Sequence, residues 1–273
     1  MIGQTTLLER ISGQISRNKF PRFSILIGER GSGKKQLANE IALGLSLPIV
    51  SVGTKVEDIR EMIENSYTLD TTSIYLIADC DNMSQAAANS LLKVIEEPPK
   101  SAYFIMTCEA LDNLLPTIKS RGVTYMLEPY TYENKCDYLS IATQTASDEE
   151  EDFMLAVATN MGELQYLVDI DVGEFSKYVM LVVDNIADVS GSNAFKIADR
   201  VNLKDDTTKY DLRVFWRAFI SVCADKMLHA DDPIRYANAI AITGDSIQQL
   251  SIRGINKQML FDNWILSIRE EWL

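Results

Sequence analysis

Apolar residues at Leu7, Leu8, Ile11 and Ile15 recur at helical spacing and predict a helix over Gly3–Arg17. The next apolar stretch, FSILIG (Phe23–Gly28), is short, continuous and closed by glycine. Such a run predicts a strand buried on both faces that feeds a turn. The segment KKQLANEIALGLSL follows, with Leu37, Ile41 and Leu45 on one face of a second helix. A third run, IYLIADCD (Ile74–Asp81), again reads as a covered parallel strand. After it, Ser84 caps a helix favoured by Ala86–Ile95 and ended by Pro98-Pro99. AYFIMTC (Ala102–Cys108) and GVTYML (Gly122–Leu127) predict two more strands. Alternating strands and helices imply an α/β domain, a parallel sheet flanked by helices, ending near Glu128.

Past Pro129 the pattern predicts helices and no further strands. Thr131–Thr145 and Glu149–Asn160 are helical in period, and the acidic SDEEED between them reads as a solvated helix start. From Glu174 onward three or four longer helices are expected. In one of them Leu212, Phe215, Phe219, Val222 and Met227 form a stripe suited to a bundle core.

Composition narrows the function classes. The 273 residues carry a formal charge of -13, from 26 basic and 39 acidic side chains, which argues against a broad electrostatic grip on DNA. No long uncharged apolar run and no signal-peptide pattern is present, so a cytoplasmic protein without a membrane span is expected. Cys80, Cys108, Cys136 and Cys223 form no C-x-x-C and His229 is the sole histidine, so no metal site is expected and the cysteines read as reduced thiols.

The stretch GERGSGKKQ (Gly28–Gln36) sits between a predicted strand and a predicted helix, the context a phosphate-binding loop requires. Gly28, Gly31, Ser32 and Gly33 let backbone N–H groups converge on a phosphate, and Lys34 supplies a point charge. Lys35 then stands where such a loop places a Ser or Thr hydroxyl for Mg²⁺; an ammonium has no lone pair to offer and repels the ion. The loop is therefore degenerate, with Lys35 placed to stand near the empty metal position and offset phosphate charge.

The run NSLLKVIEEPP (Asn89–Pro99), then FIMTCEALDNLLPTIKSRG (Phe104–Gly122), together with VEDIREMIE (Val56–Glu64), closely resembles the bacterial clamp-loader AAA+ subunits of DNA polymerase III, in particular their delta-prime kind. The resemblance is strong over the first half of the chain and rests on size and order beyond it. It implies an AAA+ P-loop-like α/β domain at 1–128, a small helical lid at 129–172 and an all-α C-terminal collar at 173–273. The family's metal-binding aspartate falls on Ala78, the acid beside it on Asp79, its sensor on Thr107, and the lid arginine on Gln165 in MGELQ.

Lys35, Ala78 and Gln165 each remove a different part of the hydrolytic apparatus, so the resemblance implies a subunit without ATPase activity of its own. SRG (Ser120–Gly122) matches the family's Ser-Arg-Cys motif except at Gly122, and implies that Arg121 is an arginine finger acting on a neighbour's ATP. The four-cysteine zinc module that the family's larger members carry after the first helix is absent. No cofactor is required on this reading; any ATP or ADP binding is weak. The implied partners are gamma/tau-like ATPase and delta-like subunits in a hetero-pentamer, with the sliding clamp and primer-template DNA met through the complex. A slow ATPase whose metal is held by Asp79 and Asp81, and an independent scaffold descended from such ATPases, stay open at this point.

Overall fold

The computed structural model describes all residues except 144, 145, 187–196, 198, 205, 207, 251, 253 and 273, and the side chain of Asn82. The chain divides into two compact units, Met1–Tyr138 with Asn160–Gly162, and Leu139–Thr159 with Glu163–Leu273.

The first unit is built on a five-stranded parallel sheet in the order β2-β3-β4-β1-β5: β1 (Phe23–Ile27), β2 (Ile49–Val52), β3 (Ser73–Ile77), β4 (Ala102–Cys108) and β5 (Val123–Met126). Side chains alternate between the two faces, and both faces are covered, which is why β1, β3 and β4 read as unbroken apolar runs. On one face Phe23, Ile25, Ile27, Phe104 and Met106 pack with α3 (Val56–Thr68) and α4 (Gln85–Glu96). On the other, Leu26, Ile74, Leu76 and Ile105 meet Ile11 of α1 (Thr5–Ser16) and Leu37 and Ile41 of α2 (Lys34–Leu45). Leu37 is fully buried, and its burial contributes about 2 kcal/mol. The short helix α5 (Pro116–Lys119) leads into β5.

One expected strand is corrected here, and one strand is added. The run Ile74–Asp81 is strand only as far as Ile77; Cys80–Asn82 turns into a 3₁₀ helix because Asp79 adopts a left-handed conformation, φ 56°. Strand β2 escapes the pattern because it lies at the sheet edge, with Val50 43% exposed and Ser51 open, so it carries no continuous apolar signal. The Ser84 cap is as expected, its hydroxyl accepting from Ala87 N at 3.2 Å.

The division falls within helix α6 (Tyr132–Ala142) along the sequence; the expected end at Thr145 lies outside the described residues. In the second unit, the acidic run opens α7 (Asp148–Val157). Ser147 and Glu150 form a reciprocal capping box, and the carboxylates complement the helix N-terminus. Helices α8 (Met161–Asp169), α9 (Val172–Asn185), α10 (Leu212–Met227), α11 (Pro233–Gln249) and α12 (Lys257–Trp272) follow. Their core is aromatic: Phe215, Trp216, Phe219, Phe261 and Trp264 are buried, and Phe219 meets Trp264 edge-on at 5.0 Å. Met227 lies only half-buried at the end of the predicted stripe. The expectation of no strand after Pro129 is corrected by β6 (Val201–Asn202) and β7 (Tyr210–Asp211), a two-residue parallel pair too short to produce a period.

Candidate functional site

The C-terminal end of β1 runs into the glycine loop. Gly28 N donates to Cys108 O at 3.2 Å, tying the loop's start to β4. Gly31 and Gly33 take φ of +77° and +86°, and Gly33 is the N-cap of α2. Those left-handed positions turn successive N–H groups inward and suit glycine, which has no Cβ to clash. Ser32 is buried with its hydroxyl unpartnered. The shape and the unpartnered hydroxyl fit an anion.

Lys34, 7% exposed, folds back over the loop and donates from Nζ to Gly28 O at 2.6 Å and Glu29 O at 2.8 Å. Burial lowers its pKa, opposed by the nearby charges of Glu109, Asp79 and Asp81. In this arrangement the loop's own carbonyls satisfy the ammonium.

Lys35 lies beside the end of β3, its Nζ 3.1 Å from Asp79 Oδ2, with both side chains largely exposed. The residue that departs from a metal-binding loop is thus paired with the surviving strand-end acid. Asp79 N donates to Thr107 Oγ1 at 3.0 Å, and Thr107 is fully buried on β4. Asp81 is also committed: its carboxylate accepts from Glu109 N at 2.9 Å, Ala110 N at 3.3 Å and Asn113 Nδ2 at 2.9 Å. Ala78 offers no ligand. The acids at the strand end therefore do not converge on a point where a divalent ion could sit.

Three residues escaped the sequence pattern. Tyr130 donates from its hydroxyl to Ser32 O at 3.1 Å, and burial raises its pKa. Gly162 N donates to Gly31 O at 3.0 Å, and a Cβ on Gly162 would stand 2.9 Å from Gly31 Cα. Asn160 packs its carboxamide over Gly31. The segment Asn160–Gly162 thus closes on the loop tip, and only the glycine in MGELQ hinted at it. Gln165 donates to Asp169 Oδ1 at 2.9 Å along α8.

Arg121 does not join this cluster. It precedes β5, and β5 runs parallel to β1 with Val123 opposite Ser24. Arg121 thus lies at the N-terminal end of the strands, whereas the glycine loop, Asp79 and Lys35 lie at the C-terminal end. Five residues of strand separate the two edges, roughly 16 Å. Gly122 sits where a Cβ would come within 2.6 Å of Ile25 Cδ1 and 2.9 Å of Phe23 Cε1. Glycine at this place in the motif therefore goes with tight packing on the start of β1.

A parallel sheet covered on both faces, a glycine loop entering a helix at its C-terminal edge, and a following helical unit make up an AAA+-like fold. Residues 50–131 match the family model described as "DNA polymerase III, delta subunit". The chain is 29% identical over 170 residues to DNA polymerase III subunit gamma of Buchnera aphidicola subsp. Schizaphis graminum, covering 51% of this chain and 47% of that protein. It is 29% identical over 108 residues to DNA polymerase III subunit delta' of Haemophilus influenzae, covering 40% and 32%. It thus spans about half the length of the first relative and a third of the second. A DNA polymerase III gamma subunit-related protein from Thermotoga maritima shares the fold, with TM-score 0.60 and 18% identity over 97% of this chain and 99% of that one. Over part of its length the chain is thus similar to gamma and delta' subunits of DNA polymerase III. Among the described residues, no helix is long and apolar enough to cross a membrane.

Proposed function

We propose that the chain is a non-catalytic, delta-prime-like subunit of a DNA sliding-clamp loader, and that Arg121 serves as an arginine finger for nucleotide held by a neighbouring ATPase subunit. The observation that carries this reading is the placement of Arg121 at the opposite sheet edge from the chain's own loop. Roughly 16 Å of strand is more than one side chain spans, so the guanidinium cannot reach its own loop and stands at an edge where a neighbour could use it. There its permanent charge and fork of donors suit the charge that spreads over a transferring phosphoryl group.

The chain's own loop supports the non-catalytic half of the reading. Lys35 neutralises Asp79, Asp81 is taken by backbone N–H groups, and Ala78 and Gln165 supply neither ligand nor cation. The loop holds ATP or ADP weakly and without metal, with Lys35 in the role of the missing cation. Among gamma, gamma/tau and delta' relatives the similarity does not itself choose, so the choice rests on these residues.

On this reading the partners are gamma/tau-like ATPase and delta-like subunits in a cytoplasmic hetero-pentamer, and the clamp and primer-template DNA are met through the complex. The 1–128 domain carries Arg121, 129–172 forms the lid, and 173–273 the collar. Reconstitution tests it. The purified chain is expected to hydrolyse no ATP alone and to co-elute with the ATPase and delta-like subunits. Turnover by the chain alone would favour the slow-ATPase reading, and failure to co-elute would favour an independent scaffold.

A further inference from the structure

We propose that Glu96 is a latch on Arg121: its carboxylate holds the guanidinium against the chain's own helices and yields it when a neighbouring subunit presents phosphate. The proposal rests on the reading of Arg121 as the finger. Arg121 Nη2 lies 3.3 Å from Glu96 Oε2, while Nη1 donates to Thr117 O at 2.8 Å and approaches Ser120 Oγ at 3.4 Å. Both terminal nitrogens are therefore engaged within the chain. A phosphate bound side-on by arginine uses two parallel N–H donors of the same planar fork. Carboxylate and phosphate oxygen compete for them.

The site around the pair favours exchange of the side chain over movement of the backbone. Pro116 opens α5, Ile118 is 1% exposed, and Gly122 is wedged on Ile25 and Phe23, so the chain on both sides of Arg121 is fixed. The pair itself is open, with the Arg121 side chain 31% and the Glu96 side chain 59% exposed. Water and an incoming anion reach it without unfolding.

Glu96 is also the last residue of α4, and Glu97 is its C-cap. A carboxylate at a helix C-terminus faces the negative end of the helix dipole. Arg121 offsets that repulsion when the site faces solvent, and Glu96 contributes little to α4 by itself. An exposed pair of this kind binds weakly enough to release, and its loss should change the population of free guanidinium about two- to fivefold.

The test uses the reconstituted loader carrying wild type, Glu96→Gln, Arg121→Ala or both, with equal assembly checked by co-elution. Hydrolysis is measured with and without clamp and DNA across a salt series. Glu96→Gln is expected to raise turnover in the absence of clamp and DNA about two- to fivefold and to leave the stimulated maximum near wild type. The excess should shrink as salt screens the wild-type pair, and the double variant should match Arg121→Ala. Glu96→Ala carries the same expectation if Glu96→Gln assembles poorly. Unchanged or lowered unstimulated turnover in both Glu96 variants, with Arg121→Ala still inactive, would overturn the latch and leave the finger standing. Full turnover with Arg121→Ala would overturn the finger and the latch together.

Discussion

Thr107→Val removes a part-buried hydrogen bond that ties the end of β3 to β4. Thr107 is fully buried, and its Oγ1 accepts from the backbone N–H of Asp79 at 3.0 Å. Valine keeps the shape and removes the acceptor, so the Asp79 N–H is left without that partner at a residue already held at φ 56°. Leaving a buried donor unpaired costs about 1–3 kcal/mol; the Asp79 side chain is exposed and water reaches part of the site, so a loss of about 1.5 kcal/mol is expected. With a urea dependence of about 2 kcal/mol per molar, the midpoint of the first unit should fall by roughly 0.7 M. All three tryptophans, Trp216, Trp264 and Trp272, belong to the second unit, so their fluorescence reports that unit as an internal control. Hydrogen exchange at β3 and β4 along the urea series reports the first. A first-unit midpoint equal to wild type, or an equal shift of the tryptophan signal, would refute the reasoning.

Burial pushes the Cys108 thiol up to about 11 and Cys223 to about 12, and raises Cys80 further, whereas Cys136 is half-buried on α6. Thiol titration at neutral pH should find only Cys136 reacting fast, the other three after unfolding. The Arg217–Glu163 pair, 2.8 Å apart with side chains 19% and 10% exposed, is expected to cost about 3 kcal/mol when Arg217→Ala leaves the carboxylate behind. Arg217→Met with Glu163→Leu should recover most of that loss in the second unit's thermal unfolding. ADP titrated into the isolated chain should bind with the same Kd in Mg²⁺ and in chelator, because Lys35 occupies the acid a metal would use; strict metal dependence would contradict it. Lys35→Thr with Ala78→Asp should instead introduce a metal requirement in the same titration.

The sheet was legible because its central strands are covered on both sides, and double coverage leaves continuous apolar runs such as FSILI and AYFIMTC. Edge strand β2 and the β6–β7 pair lack that signal, one through exposure and the other through brevity. The loop glycines and both lysines stood out as a motif, and the sequence placed Lys35 at the metal position. Its pairing with Asp79 depends on which strand end faces the loop, a fact of topology. Asp81 could be weighed as a metal ligand in the sequence because its donors, Glu109, Ala110 and Asn113, come from the far end of β4. Asn160 and Glu96 were silent for the same reason, each acting on a residue distant in the chain, and Gly162 gave only a hint within MGELQ.

Catalysis in trans by Arg121 is the claim on which the functional account stands. The most direct test is clamp- and DNA-stimulated ATP hydrolysis by a reconstituted loader carrying Arg121→Ala, after equal assembly with wild type is established. An arginine finger contributes roughly 10³-fold or more to turnover, and a loss of that order is predicted, with no hydrolysis expected from the chain alone. Turnover equal to wild type in an equally assembled complex would contradict the account and reduce Arg121 to a structural residue.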